Sequence, residues 1–294
     1  MKKNPAKKKQ SKRNWYSIEY RRVGNKKLII GTYVLLRLLV FLVLIAQAFN
    51  GNYEHVFTCV LALVLFSIPT IIERRLHIDL PDTLEIIILL FIFAAEILGE
   101  IEEYYVLFPF WDDLLHTLNG FIFAAVGFSM VDILNRNRRV TLQLSPFYVA
   151  VTAFCFSMTI GVLWEFFEWG VDALMAKDMQ KDTIVQAIHS VTLHPEGRNI
   201  PVHVTDIADT IILHSDGTQT ALGIGGYLDI GLIDTMNDLL VNFIGAIVFS
   251  CIGYFYVKSR GKGRLARQFI PQVMEKQTDT TGEAPTQPES NAEP

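Results

Sequence analysis

Cysteine is scarce in this chain of 294 residues: there are three, and Cys59, Cys155 and Cys251 each fall inside an apolar stretch. No CxxC pair is present, so neither a disulfide framework nor a thiolate metal site is expected, and the thiols read as small apolar fillers. Cations are equally thin in one region. From residue 172 to 238 the only ones are Lys177, Lys181 and Arg198. That excludes an arginine-rich clamp for an anionic head group on this part of the chain.

Familiar catalytic signatures are missing too. The Lys, Arg, Ser-Gly-His and later His pattern of acid-phosphatase-type lipid hydrolases does not occur, nor does the Gly-x-Ser-Gly of rhomboid proteases. Glu102 and Glu103 are followed by Tyr104, Tyr105, Val106 and Leu107, where a glutamate-type membrane protease requires an arginine. The glycine-rich "LGIGGYLDIG" leads into no strand-to-helix phosphate loop. His189, His194, His203 and His214 lack the spacing of a zinc site and read as solvated loop histidines. No internal repeat has a convincing period.

What the chain has in abundance is hydrocarbon. Apolar residues make up 51% of it, 20 of them Phe. That is high for a soluble domain of this length. They gather in six runs, at about 28–49, 56–72, 83–105, 114–134, 146–171 and 239–257. Most approach the roughly 20 residues needed to cross a bilayer core. The expected fold class is therefore all-α: a six-helix transmembrane bundle over 28–257 with one long loop at 172–238. The second run is short and the third carries acids, which makes them the weakest of the six. The first run is long and lacks a small-residue cleavage site, so it is expected to stay as an anchor. Punctuation supports the segmentation. Asp82 is placed as an N-cap with Glu85 three residues on, Ser145 as an N-cap before Pro146, and Pro109 marks a break. Within the long loop, "TIILHSDGTQTAL" has a Ser-Asp-Gly turn between two β-prone stretches, the pattern of a hairpin.

The net charge of −4 hides an asymmetry. The arm 1–27 is rich in Lys and Arg, loop 73–83 has Arg74 and Arg75, and loop 134–144 has Arg136, Arg138 and Arg139. The tail 258–294 begins basic and ends in a polar, Pro/Thr-rich stretch expected to be disordered. The alternate loops carry few cations or none. The positive-inside rule then puts both termini in the cytoplasm and 172–238 outside. On this reading the basic arm is a topology signal, and no nucleic-acid partner is expected; the partner is the lipid bilayer.

Most of the 30 acids then lie on the outer side. Asp113 and His116 open the fourth helix in "WDDLLH"; Glu165, Glu168 and Asp172 end the fifth in "WEFFEWGVD"; Asp238 and Asn242 open the sixth in "DTMNDLLVN". Residues three or four apart share a helix face, so each set can point one way. Glu96, Glu100, Asp112 and Asp234 are secondary members. For Asp112 and Asp234, capping a helix N-terminus is an equal explanation. Glu165 and Glu168 stand at a helix C-terminus, where the dipole disfavours anions. Four or more carboxylates crowded in a partly desolvated pocket cannot all stay ionised without a cation. A divalent ion at Asp113, His116, Glu165, Glu168 and Asp238 is the candidate cofactor. Trp111, Trp164 and Trp169 fit an interfacial belt. Arg37, in the middle of the first run, is either an internal counter-ion or a snorkelling side chain.

In order and type, these three motifs resemble those of the YjdF-like bacterial inner-membrane proteins and, more distantly, the VanZ-like proteins. Both share a D-x-x-H helix start (Asp113, His116), a later intramembrane Glu (Glu165 or Glu168) and a D-x-x-x-N-x-x-G helix (Asp238, Asn242, Gly245). The resemblance covers roughly residues 80–257. It implies a small multi-pass protein of the bacterial cytoplasmic membrane and supplies no reaction.

Three functions compete. The acidic site binds or transports a cation, proton or small or lipid ligand; or it is a metal-dependent intramembrane enzyme acting on a lipid-linked substrate; or the chain is a structural or regulatory subunit. The scarcity of outer cations puts binding or transport first. The topology is tested by labelling Thr218→Cys in intact cells with a membrane-impermeant thiol reagent. Labelling is expected without permeabilisation; labelling only after it would reverse the orientation.

Overall fold

The computed structural model describes residues 26–76, 78–136, 144–259, 268–270 and 272–273. The basic arm, apart from its last two residues, and the end of the tail lie outside the described residues. Among the described residues, five helices are long and apolar enough to cross a bilayer, at Lys27–Phe49, Tyr53–Arg75, Trp111–Asp132, Pro146–Met175 and Leu232–Lys258. The expectation of six crossings, weakest at the second and third runs, is not reached: the second run is among these five and the third is not. Many of their side chains, such as Val34, Phe41, Phe166 and Phe255, are apolar and outward-facing, as lipid contact requires.

The third apolar run is the one that departs. Helix α4 (Asp82–Phe93) passes into a π-helical segment at Ala94–Ile101, and a single turn, α5 (Tyr104–Leu107), follows a left-handed Glu103. The widened coil is held from outside. The Trp111 indole donates to the Ala94 carbonyl at 3.3 Å, and the Tyr105 ring fills the space where a β-carbon on Gly99 would sit. Asp82 is the first residue of α4 and not its N-cap, which is Pro81. Ser145 does cap α7 (Pro146–Met175), accepting from the Tyr148 amide, with Pro146 just inside.

Two packed groups share α4. Leu36 and Val40 of α1 (Lys26–Phe49) and Cys59 and Ala62 of α2 (Tyr53–Leu65) meet Leu89 and Ile92 of α4. Leu84, one turn earlier, belongs instead to the core built by α6 (Trp111–Arg136), α7 and α8 (Leu232–Lys258), around Phe128, Val149, Ala153 and Phe249. Arg37 reaches the Phe66 carbonyl and the Tyr33 ring, at the break between α2 and α3 (Ile68–Leu76). Part of the tail is ordered. Phe269 stacks edge-on against Phe121, Ile270 is buried, and Gln272–Val273 pairs antiparallel with Ile78–Asp79.

Without a hydrophobic drive between helices in lipid, close packing through small residues holds them together. A β-carbon on Gly245 of α8 would lie 2.0 Å from the Thr117 carbonyl oxygen of α6, and one on Gly120 of α6 would lie 2.1 Å from the Asn242 carbonyl oxygen. The two backbones therefore touch on both sides of one crossing. The Ser157 hydroxyl of α7 donates to the Gly120 carbonyl at 2.7 Å, which ties the third helix to the same point.

The loop between α7 and α8 forms small antiparallel pairs. Ile211–Leu213 and Gln219–Ala221 make the expected hairpin, with Gly217 left-handed and Asp216 accepting from the Thr218 amide at its turn. The hydroxyl and amide of Thr218 hold the Asp216 carboxyl below its usual range, and backbone amides led by Gly223 do the same for Asp209. The glycine-rich stretch thus wraps a carboxylate of its own chain. His189 and His203 face each other across a second pair of strands, Nδ1 to Nδ1 at 2.7 Å. Most consequential is the segment just after α7. Asp172 accepts from the amides of Met179 and Gln180, Asp234 from that of Lys181, and Asp229 from that of Thr183. Three aspartates thus fasten this strap to the end of α7 and the start of α8.

Replacing Gly245 with Ala should lower unfolding stability in detergent by about 1–3 kcal/mol, because a backbone contact must open. Gly170→Ala is the control. Its β-carbon meets nothing within 4 Å, and the change should be neutral or stabilising by up to ~1 kcal/mol. Equal effects from the two substitutions would contradict the helix crossing described above.

Candidate metal centre

The α6–α8 crossing places the first turns of α6 and α8 beside the last turns of α7. His116 is buried there at 6% exposure, with Glu165 at 4%, Glu168 at 6% and Asp238 at 2%. The imidazole lies among carboxylates. Its Nε2 is 3.5 Å from Asp112 Oδ1 and 3.7 Å from Asp238 Oδ2, and its Nδ1 is 3.8 Å from Glu165 Oε1. One ligand atom from each of His116, Glu165, Glu168 and Asp238 falls within 4.8 Å of the other three.

The carboxylates are short of partners. Both oxygens of Glu165, Oε2 of Glu168 and Oδ2 of Asp238 are buried without a hydrogen bond. Gln180 and Thr235 lie near Glu165, but they spend their best contact on each other, at 2.5 Å. Glu168 has one fixed oxygen, Oε1, which accepts from the Trp164 indole at 2.8 Å. Burying an ionised carboxylate without a partner is among the costliest arrangements in a protein. Nor do the loop cations repair it. Lys177 pairs with Glu54, Arg198 pairs with Glu196, and the Lys181 amine donates to the Asp178 carbonyl.

Beneath the cluster Asn242 lies against α6 and α7. Asn242 accepts from Asn119 at 3.3 Å and donates to the Met158 sulfur at 3.5 Å, and a β-carbon on Gly161 would strike its amide. Below that layer Phe121, Phe128 and Phe249 fill the core. The donor set, one imidazole nitrogen with carboxylate oxygens, is chemically suited to Zn2+, Mn2+ or Fe2+, whereas Mg2+ and Ca2+ favour oxygen alone. The imidazole presents a nitrogen to either side, so one can ligate while the other N–H is held by a carboxylate.

The sequence-derived candidates separate into groups. His116, Glu165, Glu168 and Asp238 come together, joined at the edge by Asp112 and Asp234. Asp113 does not join them. It is exposed, and its backbone carbonyl accepts from Thr117. Asp172 fastens the strap, and Asn242 is part of the layer beneath the cluster. Glu96 and Glu100 lie on the π-helical segment, against which the Tyr105 ring packs at Gly99. Sequence reasoning missed Tyr105, Gln180, Thr235 and the role of Trp164. Only Trp164 had a local signal, its position four residues before Glu168.

No curated protein and no solved structure matches the chain. The comparison lends nothing to the more distant VanZ-like resemblance, while the membrane-protein family expected from the motifs is supported by a family model that spans all three of them. That model, described as "Predicted membrane protein (DUF2238)", matches residues 32–259, and the chain belongs to that family of membrane proteins.

Proposed function

We propose that this membrane protein binds a divalent transition-metal cation between α6, α7 and α8, through His116, Glu165, Glu168 and Asp238. One observation carries the reading: four buried groups of metal-ligating type converge, and the three carboxylates among them leave four buried oxygens without a hydrogen bond. A divalent ion supplies the missing charge and the missing contacts together. Four ligand atoms arranged tetrahedrally at about 2.1 Å from an ion are about 3.4 Å apart. The present atoms, all within 4.8 Å of one another, reach that spacing by side-chain shifts on the order of an ångström.

The Asn242 layer and the phenylalanines beneath it support binding over passage. The charge alternation supports a cluster facing the outside of a bacterial cytoplasmic membrane, with both termini inside.

Protein purified with chelator and then given Mn2+ or Zn2+ tests the reading by its unfolding temperature. The wild type is expected to gain stability with added metal, by about 2.7 kcal/mol at a hundredfold excess over Kd. Glu165→Gln and Glu168→Gln should fold yet lose most of that gain. A wild type that neither retains metal nor responds to it between pH 6 and 8 would overturn the proposal.

A further inference from the structure

The buried quartet does not exhaust the ligands. Asp112, Asp234 and Asp238 form a second group whose ligand atoms also lie within 4.8 Å of one another. Asp238 belongs to both groups. Its carboxylate has two oxygens, it is 2% exposed, and Oδ2 has no hydrogen bond. Asp112 and Asp234 are half-buried. Of Asp234, only Oδ2 is engaged, by the Lys181 amide, which leaves Oδ1 for a ligand.

We infer that the site holds two divalent cations, the inner one on His116, Glu165, Glu168 and Asp238, the outer one on Asp112, Asp234 and Asp238, with the Asp238 carboxylate bridging them. The inference rests on the metal-binding reading above and extends it. A carboxylate that gives one oxygen to each of two metals holds them about 3.5–4 Å apart, the spacing of two-metal centres. Charge favours two ions over one. The two groups contain five carboxylates, Asp112, Glu165, Glu168, Asp234 and Asp238. A single divalent ion leaves three of those charges uncompensated. Two divalent ions offset four of the five. The difference in exposure gives the two positions different standing. The inner ion is enclosed by four buried side chains and exchanges slowly; the outer one has solvent on one side and completes its coordination with water.

Full-length protein in detergent, stripped with chelator and dialysed against Mn2+, separates the outcomes. Metal content per chain is measured by mass spectrometry, and the pair is detected by electron paramagnetic resonance. The wild type is expected to hold two Mn2+ with an exchange-coupled signal. Asp112→Asn and Asp234→Asn should each fall to one Mn2+, with the ordinary six-line spectrum of an isolated ion and a retained inner site. Glu165→Gln should weaken the inner ion instead. One Mn2+ in the wild type, or two in both Asp112→Asn and Asp234→Asn, would overturn the second position and leave the single-metal reading standing. No Mn2+ in the wild type would remove both. Loss of all metal in both outer variants would show that the outer group is no separate position, and would also overturn the inference.

Discussion

The carbonyl of Thr117 occupies the space that a side chain at position 245 would need. That contact, repeated at Gly120 against the carbonyl of Asn242, brings the backbones of α6 and α8 together about one turn below His116 and Asp238. Side chains on facing turns of two helices in such contact have nowhere to go except against each other. An imidazole and a carboxylate therefore end up buried and 3.7 Å apart. The third helix is fixed to the same point through Ser157, and its last turns bring Glu165 and Glu168 over the gap. In lipid, where apolar surface gains little by leaving its surroundings, this contact of small residues decides where the polar ones meet.

Closure on the loop side depends on carboxylates of a different kind. Asp172 and Asp229 are occupied on both oxygens by backbone amides, which is a normal and favourable use of an acid near a helix end, whereas Asp234 gives only Oδ2 to an amide. Glu165, Glu168 and Asp238 are not so occupied. The same chain thus contains satisfied and unsatisfied acids within a few residues of one another. The contrast distinguishes a loop fastening from a ligand set, because evenly scattered surface charge would leave no buried group short of partners.

Much of this was legible in the sequence. Apolar run length located the long helices, and helical spacing with dipole position singled out Glu165 and Glu168 as acids in an unfavourable place. The third run misled because hydropathy records composition and not backbone period; the switch to a π-helix at Ala94–Ile101 is stabilised by Trp111 and Tyr105, which follow it in sequence. The choice between Asp112 and Asp113 was beyond reach for a similar reason. Both lie within one turn of His116, and only the rotation of α6 against α8 turns Asp112 inward and Asp113 to solvent. Asp172 has the right spacing from Glu168, but amides seven and eight residues further on claim it first. Trp164 was read as part of an interfacial belt; its ring is indeed partly exposed, yet its N–H is committed to Glu168.

The central claim is that buried carboxylates and one imidazole on three helices are completed by a metal ion. X-ray absorption at the metal edge of Zn2+-loaded protein reads the ligand shell directly. The account predicts nitrogen and oxygen neighbours at about 2.0–2.2 Å, with the outer-shell scattering of a coordinated imidazole that disappears in His116→Ala. A spectrum of a hydrated ion without imidazole scattering, unchanged by that substitution, would contradict it.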